Sequence, residues 1–202
     1  MGTMINRRRY MGSKSLPYDA EIEYLESSGT CFINTGFIPT GDDIRIQTKV
    51  LYKGFSDNSA WAAWFSAYTN EQSNAYRIIR NGSSENVMLL YNGAKAGGQG
   101  VNFNVTIGTI YNIDFNRNIY TINTSSGSLR TVKGTENRTI LSILCSKLKG
   151  AFYFFRLWKN DVLMLDLIPV RVGNVGYMYD KVSKQLFGNA GTGAFILGPD
   201  KN

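Results

Sequence analysis

Histidine is absent from all 202 residues. Without an imidazole there is no Ser-His or Cys-His nucleophile, no His-ligated zinc and no imidazole general base, so only carboxylate chemistry is left to an enzyme. Cysteine occurs twice, as Cys31 and Cys145, with no CxxC pair. That excludes a metal knuckle or a redox motif, and both thiols read as small buried hydrophobes. No apolar run approaches the roughly 18 residues of a membrane helix, so no membrane insertion is expected. Arg7-Arg8-Arg9 is followed by no apolar segment, which argues against unaided secretory export.

What remains is a strand-forming chain. Hydrophobic residues make up 43% of the sequence, enough for the core of one large β domain. Apolar segments recur at 21–25, 31–35, 44–52, 61–67, 75–80, 87–91, 101–107, 110–116, 119–123, 129–132, 140–145, 152–159 and 162–170. This spacing is that of an antiparallel sandwich or barrel. In Ile44-Arg45-Ile46-Gln47-Thr48-Lys49-Val50 the alternation gives one apolar and one wet face, as in a half-buried sheet. Asn81-Gly82, Asn92-Gly93, Ser126-Gly127 and Lys159-Asn160-Asp161 read as turns between strands. The 92–100 stretch, NGAKAGGQG, lacks the GxxxxGK[ST] pattern of a phosphate cradle and reads as a loop. About fourteen short strands in one domain favour two stacked sheets over a closed barrel.

The stretch 175–198 is the most informative. It reads as a strand start at Gly176-Tyr177, a turn over 180–184, a short strand at Gln185-Leu186-Phe187, the turn Gly188-Asn189-Ala190-Gly191 and a last strand at Phe195-Ile196-Leu197. Each Gly or Asn falls where a tight turn needs positive φ or a bare backbone. Tyr177, Tyr179, Asn189 and Gly191 are therefore expected to serve closure.

Residues 1–19 have no sustained periodicity and supply much of the charge. The chain carries 22 basic and 15 acidic residues, net +7, of which Arg7, Arg8, Arg9 and Lys14 against Asp19 contribute +3. This is an arm ahead of a body at 20–202. Its proline, in Leu16-Pro17-Tyr18, resists helix and central strand alike. Tyr10 is its one aromatic beside the arginines, so nucleic acid is not the expected partner, and docking on another protein explains Leu16-Pro17-Tyr18 better.

Two segments carry a resemblance. Glu23-Tyr24-Leu25-Glu26-Ser27-Ser28-Gly29-Thr30 with Phe32-Ile33-Asn34-Thr35-Gly36 resembles the opening EYIESTGTQYIDTG signature of concanavalin A-like, LamG-type jelly-roll domains of gut bacteriophages and bacteria. Residues 152–169 lead into 175–198, which resembles the terminal GLYDLVNGKFYGNAGTG of the same domains. Together they cover about a third of the chain. The resemblance implies an all-β, two-sheet antiparallel jelly-roll sandwich whose opening and closing segments lie side by side, with an extended N-terminal arm. Arg7-Arg8-Arg9-Tyr10-Met11 ahead of Leu16-Pro17-Tyr18-Asp19-Ala20-Glu21 resembles the N-termini of virion proteins of crAss-like phages. It implies a capsid-associated head fibre or decoration protein, located in the virion and anchored to other virion proteins through Arg7, Arg8, Arg9, Tyr10, Leu16 and Tyr18. A homo-oligomer is the expected state, and a free carbohydrate-binding module of a gut microbe is the alternative.

No enzyme is expected, and no cofactor or metal. Glu21, Glu23 and Glu26 approach the E-x-D-x-x-E of jelly-roll glycoside hydrolases, yet they fall in the opening strand with Glu in place of the central Asp. Asp42-Asp43, Asp57 and Asp114 lack the dense spacing of a calcium loop. Glycan binding is the more plausible chemistry, because aromatic faces stack on pyranose rings while amides bond hydroxyls. Trp64, Tyr68 and Tyr76 are the candidates. Strict alternation puts Trp61, Ala63 and Phe65 on one face and Trp64 on the other.

Overall fold

The alternation at 44–50 becomes a long strand, β4 (Ile44–Phe55), in which Ile44, Ile46, Val50 and Tyr52 are fully buried while Arg45, Gln47 and Lys49 face outward half-exposed. The computed structural model describes residues 16–41, 43–56, 62–69, 75–81, 85–93, 100–129, 138–144 and 147–202. Among these there is no helix. Before β4 come β1 (Ala20–Glu21), β2 (Leu25–Ser28) and β3 (Ile33–Asn34). After it come β5 (Ala63–Ala67), β6 (Ala75–Arg80), β7 (Asn86–Gly93), β8 (Val101–Asn104), β9 (Ile110–Asn116), β10 (Ile119–Ile122), β11 (Ser125–Ser128) and β12 (Ser142–Ile143). The chain ends with β13 (Leu148–Lys159), β14 (Val162–Val172), β15 (Val175–Asp180), β16 (Leu186–Phe187) and β17 (Ile196–Leu197).

These strands form two antiparallel sheets. The 11-stranded sheet runs β11-β10-β9-β4-β13-β14-β15-β16, with β2 and β17 added beside β13 and β1 beside β14; the 6-stranded sheet runs β3-β12-β5-β6-β7-β8. Aromatic rings join them into a sandwich. Phe65 of the smaller sheet meets Phe115 and Phe155 of the larger with centroids 5.8 and 5.7 Å apart, both edge-to-face, a favoured geometry for aromatic pairs. Trp64 lies between Tyr52 at 5.6 Å and Tyr111 at 5.3 Å.

Trp64 and Phe65 are consecutive, yet both are fully buried in the core shared by the sheets. Strict alternation would have separated them. A bulge opposite Ile79 and Ile78 shifts the register between Ala63 and Phe65, so two adjacent side chains take the inner face. Ala63 packs instead with Ile79 and Met88 in a separate cluster. Trp61 lies outside the described residues.

The opening and closing segments pair as expected. Ile196 and Leu197 lie opposite Glu26 and Leu25, and Ile22 bridges Asp200. Asn189 ties the last turn down, its Oδ1 accepting from the N–H of Phe32 at 3.2 Å and of Gly191 at 2.8 Å. A Cβ on Gly191 would stand 2.2 Å from the Thr30 carbonyl oxygen, so this position needs glycine for its close approach. Positive φ in the cassette falls on Lys184 (φ 63) and Gly193 (φ 79) rather than on the Gly188–Asn189 turn.

Of the other turn readings one holds and two differ, Asn92-Gly93 lying within β7. Asn160 and Asp161 form the expected tight reversal, with φ of 51 and 58. Ser126-Gly127, read as a turn, instead lies inside β11, and the reversal is made by Asn123 in the left-handed region (φ 52). Asn123 holds that turn through its side chain, its Oδ1 accepting from Asn112 N–H at 2.9 Å. Of the strand expected at 129–132, Leu129 is buried just beyond β11 and 130–132 lie outside the described residues. Of the two cysteines, Cys31 is buried and free, its thiol donating to the Thr192 carbonyl at 3.3 Å; Cys145 lies outside the described residues.

Because Trp64 fills the space between Tyr52 and Tyr111, Trp64→Ala is expected to lower unfolding free energy by about 3–5 kcal/mol. The buried Nε1 of Trp64 has no hydrogen-bond partner among the described residues, so Trp64→Phe forfeits no polar contact and should cost far less. Urea unfolding of the two variants separates these outcomes.

Candidate functional site

The structure separates the residues that the sequence put forward. Arg7, Arg8, Arg9 and Tyr10 lie outside the described residues. Leu16 is 59% exposed, whereas Tyr18 is half-buried with its ring 5.0 Å from that of Tyr179. The Tyr18 hydroxyl donates to Glu21 Oε1 at 3.2 Å, and burial followed by the charge of Glu21 pushes this phenol above its ordinary pKa. Asp19 accepts from Gly173 N–H at 2.6 Å. Tyr18 and Asp19 therefore belong to the folded body.

The proposed glycan platform is corrected. Trp64 and Tyr76 are wholly buried and offer no ring face to a sugar; the Tyr76 hydroxyl donates to the Gly41 carbonyl. Tyr68 is half-buried, and the buried Arg77 guanidinium stands 3.9 Å over its ring, covering one face. The bulge in β5 is the reason for Trp64, and the burial of β6 on both faces is the reason for Tyr76.

The three glutamates of the opening segment are also apart in role. Glu26 is 8% exposed and receives Lys53 Nζ at 2.8 and 2.7 Å, Glu21 is bonded by Tyr18, and Glu23 is exposed. Among the described residues no group of three or more acidic or thiol side chains is placed to hold a metal ion.

The side chains that do gather lie on the outer face of the larger sheet. β4 presents Arg45, Gln47 and Lys49 there, β9 presents Asn112 and Asp114, β10 presents Thr121, and β13 presents Phe154, Arg156 and Trp158. A second bulge, between Phe152 and Phe154 opposite Val50 and Lys49, leaves the adjacent rings Tyr153 and Phe154 both half-exposed. Cations lie over these rings: Lys49 Nζ is 4.6 Å from the Tyr153 centroid, Arg156 is 5.1 Å from Phe154, and Arg45 is 5.3 Å from Trp158.

Two grooves meet at Phe154. One, of about 260 Å³, is lined by Gln47, Thr48, Asn112, Ile113, Asp114, Thr121, Asn123 and Phe154. The other, of about 400 Å³, is lined by Glu23, Lys49, Tyr153, Phe154 and Lys201. Asp114 is spent within the first: it accepts from Arg45 Nε at 3.1 Å and Nη2 at 2.6 Å and from Gln47 Nε2 at 2.7 Å. The hydrogen bond with Asp114 raises the pKa of Arg45 further. Asp114 therefore orients the Gln47 amide and is no free base. In the second groove, burial and then the neighbouring Tyr24 and Glu23 push the Tyr153 phenol above its ordinary pKa.

A third groove, of about 250 Å³, includes Thr35, Phe37, Met164, Asp180 and Phe187. Its carboxylate is committed to the turn after β15. Asp180 Oδ1 accepts from Asp166 N–H at 2.9 Å and Val182 N–H at 3.1 Å, and Oδ2 from Ser183 N–H at 3.0 Å.

No family model and no curated protein matches the chain. The site therefore rests on its own geometry. Sequence reasoning marked Gln47 and Lys49 as wet-face residues of β4 but attached no role to them. Asn112, Thr121 and Asn123 carry no signal until β9 and β10 are laid beside β4. Tyr153 and Phe154 sit in a continuous apolar run, where only the bulge decides what faces out.

Asp180 makes the cassette sensitive to acid. Burial pushes its carboxyl up, but the bonds from Asp166, Ser183 and Val182 outweigh that and hold it below the usual carboxylate value. A depressed folded-state pKa contributes stability that is present above the unfolded value of about 3.9 and is lost as pH falls through the folded one. Asp180→Asn is expected to destabilise the protein at neutral pH by about 1–3 kcal/mol and to flatten its loss of stability below about pH 4. Denaturation measured from pH 2 to pH 7 tests both.

Proposed function

We propose that the chain is a non-enzymatic structural protein of a bacteriophage virion, a capsid-associated head fibre or decoration protein. Residues 1–19, of which Tyr18 and Asp19 are held on the body, carry the attachment to other virion proteins, and a jelly-roll sandwich of the concanavalin A-like, LamG type is displayed outward to meet host-surface glycan. The observation that carries this reading is where the arm joins the body. Ala20 and Glu21 pair with Arg171 and Val170 of β14, and Tyr18 rests on Tyr179 of β15, so the arm reaches the body along the β14–β15 part of the larger sheet. The β4–β9–β10 part, on the far side of β13, carries the groove lined by Gln47, Asn112, Thr121 and the β13 ring Phe154.

This placement also supports a tether that is separable from the fold. Removing residues 1–15 leaves intact the Tyr18–Tyr179 contact and the β1–β14 pair. Its expected result is a sandwich that unfolds at the same urea midpoint as the full chain but fails to enter particles when phage is assembled with it. Unchanged incorporation would sink the virion reading and leave a free carbohydrate-binding module in its place. Light scattering of the full chain tests the homo-oligomer that a virion position favours.

A further inference from the structure

We infer that the two grooves meeting at Phe154 form one track for an oligosaccharide bearing a carboxylate, with the acidic sugar at the Lys49–Lys201 end. The inference rests on the glycan-attachment reading and gives it a ligand class and a site. Charge pairing on this face sets the argument. Arg45, Lys53 and Arg156 each close on a carboxylate, at 2.6 Å to Asp114, 2.7 Å to Glu26 and 2.8 Å to Asp166. Lys49 and Lys201 have no such ion pair among the described residues, and both line the wider groove. Two cations without ion pairs beside the half-exposed rings of Tyr153 and Phe154 match a ligand that is a ring with a negative group.

Glu23 lines the same groove and faces solvent, so a polyanion carrying charge on every residue fits less well than one acidic sugar among neutral ones. The narrower groove supplies the neutral part. Beyond Phe154 its one carboxylate, Asp114, is paired with Arg45, and the groups it offers a ligand are the Gln47 amide held by Asp114, the Asn112 amide and the Thr121 hydroxyl, which suit sugar hydroxyls. The shared Phe154 ring is the stacking surface between the two halves. No proton or group is transferred; the track binds and positions.

The test uses the full-length protein and titration calorimetry with a panel of carboxylated oligosaccharides. The panel is a galacturonate tetramer, a hyaluronan tetrasaccharide and 3′-sialyllactose, each beside its methyl ester, which keeps the ring and removes the charge. At least one acid is expected to bind, about tenfold more tightly than its ester, with the difference shrinking as salt is raised. Lys49→Gln should weaken the acid about tenfold and leave the ester unchanged, while Phe154→Ala should weaken both. Lys149→Gln, an exposed lysine of β13 outside the groove, should change neither. The inference is overturned by binding of no acid, by equal binding of acid and ester, or by equal losses for Lys149→Gln and Lys49→Gln, which would mark a general effect of net charge. Such a failure leaves particle incorporation untouched, so it is distinguishable from failure of the virion reading.

Discussion

Phe65 packed edge-on against Phe115 and Phe155 is the contact to which the other elements are referred. It fixes the smaller sheet on the larger one at the level of β9 and β13, and the Trp64–Tyr52–Tyr111 cluster extends the same seam. The charged side chains Arg45, Lys49, Asp114 and Arg156 of β4, β9 and β13 lie on the outer face, where cations stand over the remaining aromatics. The candidate track is thus the reverse side of the core, built by the same strands in the same register.

Bulges decide how that reverse side looks. In β5 a register shift turns Trp64 inward beside Phe65, and in β13 a shift leaves Tyr153 beside Phe154 at the surface. A regular ladder would have given one ring per pair to each face. The consequence is an asymmetric division of aromatics, heavy in the seam from β5 and heavy on the outer face from β13.

Much of the architecture was legible in the sequence. The Ile44–Val50 alternation, the Asn160-Asp161 reversal and the opening and closing motifs all emerged where the residue pattern put them. What was not legible follows from the same two bulges: period-two parity fails by one residue wherever a ladder slips, and nothing in Trp61-Ala62-Ala63-Trp64-Phe65 announces a slip. Ser126-Gly127 misled for a different reason. Asn123 reached the left-handed region first and bonded its own hairpin, which left Gly127 free to sit under Tyr120. The outer-face site was hidden because Gln47, Asn112, Thr121 and Phe154 are distant in sequence and converge only through the strand order β10-β9-β4-β13.

The partnership of β2 with β17 has a temporal side. Leu25 and Glu26 are made long before either strand that pairs with them, β13 through Phe152 and Ala151 or β17 through Leu197 and Ile196. Until those strands are made β2 lacks both neighbours, and long-range pairing of this kind is slow and open to strands from other chains. The Glu26–Lys53 ion pair spans β13, which lies between β2 and β4, so it too closes only once β13 is in place. β17 thus acts as a latch: one side of β2 is sealed by a segment far from it in sequence rather than by its own neighbours.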